Sequence, residues 1–220
     1  MKKPVMNPFL PLWEYIPDGE PRIFDERLYI YGSHDFAGGE KGFCPGDYMA
    51  WSAPLSDLSD WKCHGAAWRR CDDPDLTEKD AMAAPDVVRG PDGRYYLYYN
   101  DNYQLHCRVA VSDRPEGPFQ PYGLVQKPDG TPFRDFKMFD PGVLVDEDDQ
   151  VYLFTGFKFA AFLITTTATT YIAALVIDNI ATKAKAVLYA NFLIIQVLKT
   201  CKFRATSLLS PSISISVSKI

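Results

Sequence analysis

Carboxylates stand beside prolines at three points where strand-like runs begin. The three pairs are Glu20-Pro21, Pro85-Asp86 and Asp140-Pro141, and Asp18 lies just before the first of them. Each pair is followed by an apolar run, an acidic or glycine turn, and a run rich in aromatic residues. Carboxylates gathered at one place can divide acid and base roles, because one can activate a water molecule while another, kept protonated, donates a proton. The repeat therefore predicts a site built from side chains that are distant in the sequence.

The elements that must position these carboxylates are predicted to be β-hairpins. Tyr, Val, Ile and Leu favour strands, and a turn such as Asp92-Gly93 between two such runs is typical of a hairpin. The runs predicted as strands are Leu28–Tyr31, Tyr48–Ser52, Tyr95–Tyr99, Leu105–Ser112 and Val151–Phe154. Hairpins that recur every 50–65 residues or so favour four-stranded blades of a β-propeller, with a β-sandwich as the competing architecture. A propeller would bring the ends of its innermost strands to one central pocket.

Composition and charge exclude several classes of function. The net charge is −5 with no basic stripe before residue 157, which predicts that nucleic acid is not a partner. Prolines rather than an apolar run follow Lys2-Lys3, so we expect no secretory signal and a cytoplasmic protein. The five cysteines include no CxxC spacing, and we expect no metal centre. Cys63 and Cys71 could pair, although reduced thiols fit a cytoplasmic protein better.

The order of several motifs resembles glycoside hydrolase family 43, which contains β-xylosidases, α-L-arabinofuranosidases and arabinanases. The motifs are Asn7-Pro8-Phe9-Leu10-Pro11, Pro17-Asp18-Gly19-Glu20-Pro21, Leu28–Asp35, Ala84–Val87, Asp92–Tyr99 and Phe139–Val143. The resemblance covers residues 7–157, about half of a usual catalytic domain. It implies an all-β, five-bladed propeller truncated to about its first half. It also implies inverting hydrolysis of xylose- or arabinose-containing oligosaccharides by a base Asp, a second Asp that raises the pKa of the acid, and a Glu acid.

The family's roles can be carried over to matching positions. Asp18 matches the base, with Glu20 as the alternative, and Asp140 matches the second aspartate. Asp86, His34 and Trp51 are predicted to contact the oligosaccharide. No cofactor is expected; a structural calcium is known in the full-length family, but nothing in these residues calls for one.

The chain changes its chemistry after Phe157. All 14 glycines and all 4 tryptophans lie before that point, and residues 158–220 hold seven basic residues, one acidic residue and no glutamate. We therefore divide the chain into a partial propeller domain, residues 1–157, and an atypical tail, residues 158–220. The tail offers no glycine for tight turns, so a propeller blade cannot easily be built from it, and without a glutamate it offers no candidate for the acid.

Several origins for this tail stay open. It could be a frameshifted reading of the gene, which translation of the other two frames beyond codon 157 would test, or a fusion to an unrelated segment. The uncharged run 159–177 approaches the length of a membrane span, although its five threonines disfavour a membrane partner. The sequence predicts low activity for such a truncated enzyme. A non-catalytic carbohydrate-binding protein is the alternative, and open sheet edges would favour self-association.

Overall fold

The computed structural model describes residues 7–38, 44–100, 106–127, 129–134, 138–147 and 149–155, together with the backbone of 161–165. The chain divides into two compact units, residues 1–177 and 178–220, and everything described lies in the first. Most of the predicted tail, and the proposed boundary at 157, therefore fall outside the described residues. The predicted domain boundary and the origin of the tail stay predictions.

The first sheet is a four-stranded antiparallel meander. Its strands are β1 (Glu20–Phe24), β2 (Arg27–Gly32), β3 (Tyr48–Pro54) and β4 (Lys62–Trp68), in that spatial order. Asp25 and Glu26 connect β1 to β2, and both have positive φ, at 45° and 62°. Two such residues in succession match the right-handed twist of the flanking strands, which explains the tight hairpin. A single 3₁₀ turn, Arg70–Asp72, follows β4.

The second sheet repeats the same meander and the third repeats its beginning. The second consists of β5 (Asp86–Arg89), β6 (Tyr95–Tyr99), β7 (Arg108–Ser112) and β8 (Gln120–Leu124), in sequence order. The third contains β9 (Gly142–Val145), β10 (Val151–Thr155) and β11 (Ala161–Thr165), with β10 in the centre. Successive four-stranded meanders are the blade pattern of a β-propeller. The all-β prediction is confirmed.

Two apolar clusters lie where successive sheets pack together. The first contains Tyr31, Tyr48 and Trp68 from the first sheet with Leu97 and Tyr99 from the second. The second joins side chains of the second and third sheets, namely Val88, Tyr96, Tyr98, Val109, Val143, Val151 and Leu153. The first strand of each sheet also contacts its counterpart, β1 with β5 and β5 with β9. The starts of β1, β5 and β9 are therefore held side by side.

Strand β11 differs from the expectation for the tail. It pairs antiparallel with β10, Ala161 opposite Thr155 and Thr165 opposite Val151. The run Ala-Phe-Leu-Ile-Thr is uncharged and ends in two β-branched residues, a composition that suits a strand even without a glycine turn nearby. One strand of the segment assigned to the tail thus extends the third sheet. The part of the chain that the structure describes has no helix with the length and apolarity to span a membrane.

Candidate active site

The pairing of the strands defines which carboxylates occupy equivalent positions. The residues at the starts of β1, β5 and β9 lie opposite the same point of the following strand: Glu20 opposite Tyr31, Asp86 opposite Tyr98, and Gly142 opposite Phe154. Asp18 and Asp140 each lie two residues before that start, and Ala84 takes this position in the second sheet. Asp18 and Asp140 are thus structural equivalents. Asp86 lies two residues further along, at the start of its strand. Aligning the three segments on their prolines therefore pairs Asp86 with the wrong residues.

Asp18 is half-buried and held from the end of the neighbouring strand. The hydroxyl of Ser33, just after β2, donates a hydrogen bond to Oδ2 of Asp18 over 2.7 Å. The thiol sulfur of Cys44 lies 4.0 Å from the same oxygen. Ser33 and Cys44 are both completely buried. Both of these contacts are made to Oδ2, and among the described residues none hydrogen-bonds Oδ1 of Asp18.

Asp140 shares its electrostatic environment with Asp18. Burial, and after it the charge of Asp18, raises the pKa of Asp140. Asp140 has φ of 48°, a left-handed conformation that Asp tolerates better than most residues and that is often found where a site requires it. The carbonyl of Phe139 accepts a hydrogen bond of 2.8 Å from Thr155 at the end of β10. Strand ends of two sheets therefore present two interacting carboxylates.

The thiol of Cys44 interacts electrostatically with Asp18, Asp35 and Asp140. Burial raises its pKa to about 11, and Asp18, Asp35 and Asp140 act in the same sense. Asp35 also accepts a hydrogen bond of 2.9 Å from the backbone N–H of Cys44. The side chains of Asp18, Asp35, Cys44 and Asp140 therefore surround one acidic region. Burial and a raised pKa both make this thiol a weak nucleophile.

Asp86 is engaged by protein groups from both neighbouring sheets. It is 1% exposed, and Nε of Arg22 donates to its Oδ1 over 2.8 Å. Its Oδ2 accepts from Nη2 of Arg22 and from the backbone N–H of Val143, the latter over 2.6 Å. Burial raises the pKa of Asp86 to about 6, while the bonds from Arg22 and Val143 oppose that rise. Its predicted contact with substrate stays a prediction.

Glu20, the alternative base, lies beside this cluster. Its side chain is 43% exposed, and its Oε1 is 3.4 Å from Nη2 of Arg22. By strand register it corresponds to Asp86 and not to Asp140. The geometry therefore favours Asp18 over Glu20 as the partner of Asp140.

His34 and Trp51, predicted to contact substrate, are both bound by Glu14. Nε2 of His34 lies 2.8 Å from one carboxylate oxygen of Glu14, and Nε1 of Trp51 donates to the other over 2.7 Å. The Glu14 side chain has no exposed surface. Trp51 is 3% exposed and packs against the exposed ring of Trp13, 5.8 Å between centroids. The substrate contacts assigned to these two residues stay predictions.

Sequence reasoning missed Glu14, Ser33 and Cys44. Glu14 lies in a proline-rich segment without any periodic pattern, so no sequence signal marks it. Ser33 could have been found, because it follows β2 by one residue and the end of β2 must lie beside the start of β1. Among the described residues, no group of three or more His, Cys, Asp or Glu side chains is arranged to hold a metal ion.

Comparison of the sequence with known proteins finds glycosyl hydrolases. The model of the family described as glycosyl hydrolases family 43 matches residues 2–201, which extends beyond residue 157. A xylosidase/arabinosidase of Thermoclostridium stercorarium is 49% identical over 162 residues, covering 71% of this chain and 34% of the relative. Xylosidase/arabinosidase 43A of Humicola insolens is 33% identical over 155 residues, covering 64% of this chain and 43% of the relative. The chain thus spans between a third and a half of these relatives.

Solved structures show the same fold. An α-L-arabinofuranosidase of Clostridium thermocellum has a TM-score of 0.54 at 26% identity, covering 74% of this chain and 56% of that one. A family 43 enzyme of Xanthomonas citri, in complex with xylotriose, has a TM-score of 0.59 at 22% identity, covering 77% and 57%. The described sheets correspond to part of the β-propeller found in these proteins.

Proposed function

The chain belongs to glycosyl hydrolases family 43, and from that premise we propose that it carries the base side of a glycosidase site. The reaction is hydrolysis of O-glycosyl bonds in xylose- or arabinose-containing oligosaccharides, with inversion at the anomeric carbon. Asp18 is the base and Asp140 the second aspartate of the site. The names of the similar enzymes, xylosidase/arabinosidase, support this substrate class.

The observation that carries the proposal is the pairing of Asp18 with Asp140. They occupy equivalent positions before two different inner strands, and burial and then the charge of Asp18 raise the pKa of Asp140. A base must be held where it can take a proton from water, and the hydrogen bond from Ser33 fixes the orientation of the Asp18 carboxylate. Asp140 adds negative potential beside Asp18, which is the condition that keeps a nearby acid protonated.

The acid is the part of the mechanism that these residues do not supply. Glu147 is the single glutamate after Asp140 in the sequence, and it lies in the turn between β9 and β10, at the other end of the hairpin from Asp140. General-acid assistance is worth about 10²–10⁴-fold in rate. We therefore propose that this chain hydrolyses ordinary glycosides weakly or not at all.

Leaving-group dependence tests the proposal. p-Nitrophenolate departs without protonation, whereas the sugar leaving group of xylobiose requires an acid. We expect slow turnover of p-nitrophenyl β-D-xyloside or α-L-arabinofuranoside, and rates on xylobiose lower relative to a full-length family enzyme by about 10²–10⁴-fold. Asp18→Asn should abolish the aryl-glycoside activity, and Asp113→Asn, an exposed aspartate in the loop after β7, should not.

The second candidate is a carbohydrate-binding protein without catalysis. Glu147 lies at the other end of the hairpin from Asp140 and so does not supply an acid. This favours a binding protein, because binding a sugar does not require one. Calorimetric titration with xylotriose separates the two candidates. Binding without turnover of either aryl glycoside would establish the binding protein, and aryl-glycoside turnover that depends on Asp18 would establish the enzyme.

A further inference from the structure

The Asp86 carboxylate joins the innermost strands of all three described sheets. It begins β5, binds the guanidinium of Arg22 on β1, and accepts the N–H of Val143 on β9. Nη2 of Arg22 also donates to the carbonyl of Val143 over 3.1 Å, which closes a ring of contacts between the three strands. A carboxylate held at both oxygens by a planar guanidinium is fixed in orientation as well as in position.

Both ends of this bridge lie close in sequence to the proposed carboxylate pair. Arg22 follows Asp18 by four residues, and Val143 follows Asp140 by three. In an extended strand each residue advances about 3.3 Å, so each contact lies within about 15 Å of chain from the carboxylate that it affects. Asp18 precedes β1 and Asp140 precedes β9, so neither aspartate is itself held by the strand pairing. Their positions therefore depend on where β1 and β9 begin.

We propose that Asp86 is a positioning residue, which sets the distance between Asp18 and Asp140 by holding Arg22 of β1 and Val143 of β9. Its importance for catalysis rests on the proposed function, but the geometric claim does not. This role assigns Asp86 to the assembly of the site, and it requires no contact between Asp86 and sugar. It also explains why the second sheet can have alanine at the position equivalent to Asp18 and Asp140: its carboxylate is two residues later, where it reaches both neighbouring strands.

The chain offers a matched control in Asp73. This carboxylate is 4% exposed and accepts hydrogen bonds from Tyr99 over 2.5 Å and from Arg108 over 3.3 Å. Both partners belong to the second sheet, on β6 and β7. Replacing Asp73 therefore disturbs a buried carboxylate and an arginine without loosening β1 from β9.

The test is the titration of Asp140 in the full 220-residue chain. Carbon-13 NMR of labelled aspartate carboxyls gives its apparent pKa in the unchanged protein, in Asp86→Asn and in Asp73→Asn, with Asp140→Asn identifying the resonance. We expect Asp86→Asn to lower the pKa of Asp140 towards its ordinary value, because loosened strands would hydrate Asp140 and separate it from Asp18. Asp73→Asn should leave the titration unchanged even where it lowers the melting temperature.

Two results would overturn the inference. One is a folded Asp86→Asn variant in which Asp140 titrates as in the unchanged protein. The other is an equal shift in Asp73→Asn, which would make the effect one of general stability. If Asp86→Asn loses its near-ultraviolet circular dichroism, Arg22→Lys decides, because it keeps the charge and removes the two-point contact: a lowered pKa of Asp140 supports the inference and an unchanged one refutes it. The titration needs no turnover, so an inactive chain would count against the proposed function alone.

Discussion

Replacement of Glu14 by glutamine should destabilise the segment that carries Asp18. Glu14 accepts hydrogen bonds from two N–H groups, Trp51 Nε1 over 2.7 Å and its neighbour Tyr15 over 3.0 Å, and Nε2 of His34 lies 2.8 Å from it. These contacts attach the N-terminal segment to β3 and to the loop after β2. Asp18 is four residues further along, so the same contacts limit its movement.

The expected cost follows from the number of donors. Glutamine retains one acceptor oxygen and turns an NH₂ group towards a donor that has lost its partner. Hydrogen bonds to a charged group contribute about 1.5–3 kcal/mol each, and a buried donor without a partner costs about 1–3 kcal/mol. We expect Glu14→Gln to lower the free energy of unfolding by about 2–4 kcal/mol. At about 2–4 °C per kcal/mol, the melting temperature should fall by about 5–15 °C.

Urea unfolding monitored by tryptophan fluorescence measures this change, because Trp13 and Trp51 lie beside Glu14. Glu78→Gln, at an exposed glutamate, is the control and should change stability by less than about 0.5 kcal/mol. A double-mutant cycle with Trp51→Phe should show a coupling of about 1–2 kcal/mol between the two sites. Equal stabilities of the Glu14→Gln and Glu78→Gln variants, or a coupling near zero, would refute the reasoning.

Three other measurements address the site itself. Burial and then the charge of Asp18 raise the pKa of Asp140, so Asp140 contributes stability that is complete below its unfolded-state pKa and is lost as the pH rises through its folded-state pKa. Asp18→Asn should lower that pKa and lessen the loss of stability, as seen by carboxyl NMR and urea unfolding. Ser33→Ala should cost about 1–3 kcal/mol in urea unfolding, because Ser33 is buried and donates to a carboxylate. In the native protein, iodoacetamide should label exposed Cys63 well before buried Cys44, as mass spectrometry would show.

Controls and contrary results for these three are simple. Asp113→Asn should not move the titration of Asp140, and an unchanged Asp140 in Asp18→Asn would show that the two carboxylates do not interact. Ser59→Ala, at an exposed turn, should leave the free energy of unfolding nearly unchanged. If Ser33→Ala changes it just as little, the hydrogen bond from Ser33 does not stabilise the fold. Labelling of Cys44 at the rate of Cys63 would show that Cys44 is accessible to the reagent and would contradict its burial.

The inner strands of this fold were predictable because their composition and their turns agree. Aromatic and β-branched runs such as Tyr95–Tyr99 follow glycine or acidic turns, and the structure places β6 at those residues. The outer strands β4 and β8 were not predicted. Their burial is low, and β8 contains Pro121 and Gly123, so neither apolar alternation nor strand propensity marks them. Their place in the sheet comes from pairing with a strand that is already fixed.

The candidate site was predictable in its residue types but not in its alignment. The prolines suggested that Glu20, Asp86 and Asp140 are equivalent, whereas strand pairing makes Asp18 the equivalent of Asp140. A shift of two residues keeps a side chain on the same face of a strand, so the alternation of polar and apolar residues cannot detect it. Hydrogen-bond register, which depends on tertiary structure, decides between the two alignments.

The shift of two residues gives Asp86 different surroundings from those of Asp18 and Asp140. Asp18 and Asp140, which precede their strands, are half-buried and exposed respectively. Asp86, at the first residue of β5, lies buried between neighbouring sheets and must have cationic or N–H partners, because a buried charge without them is costly. Arg22 and Val143 provide those partners. Burial between the sheets, which Glu20 at the equivalent position of β1 does not share, therefore distinguishes Asp86 from the carboxylates that precede β1 and β9.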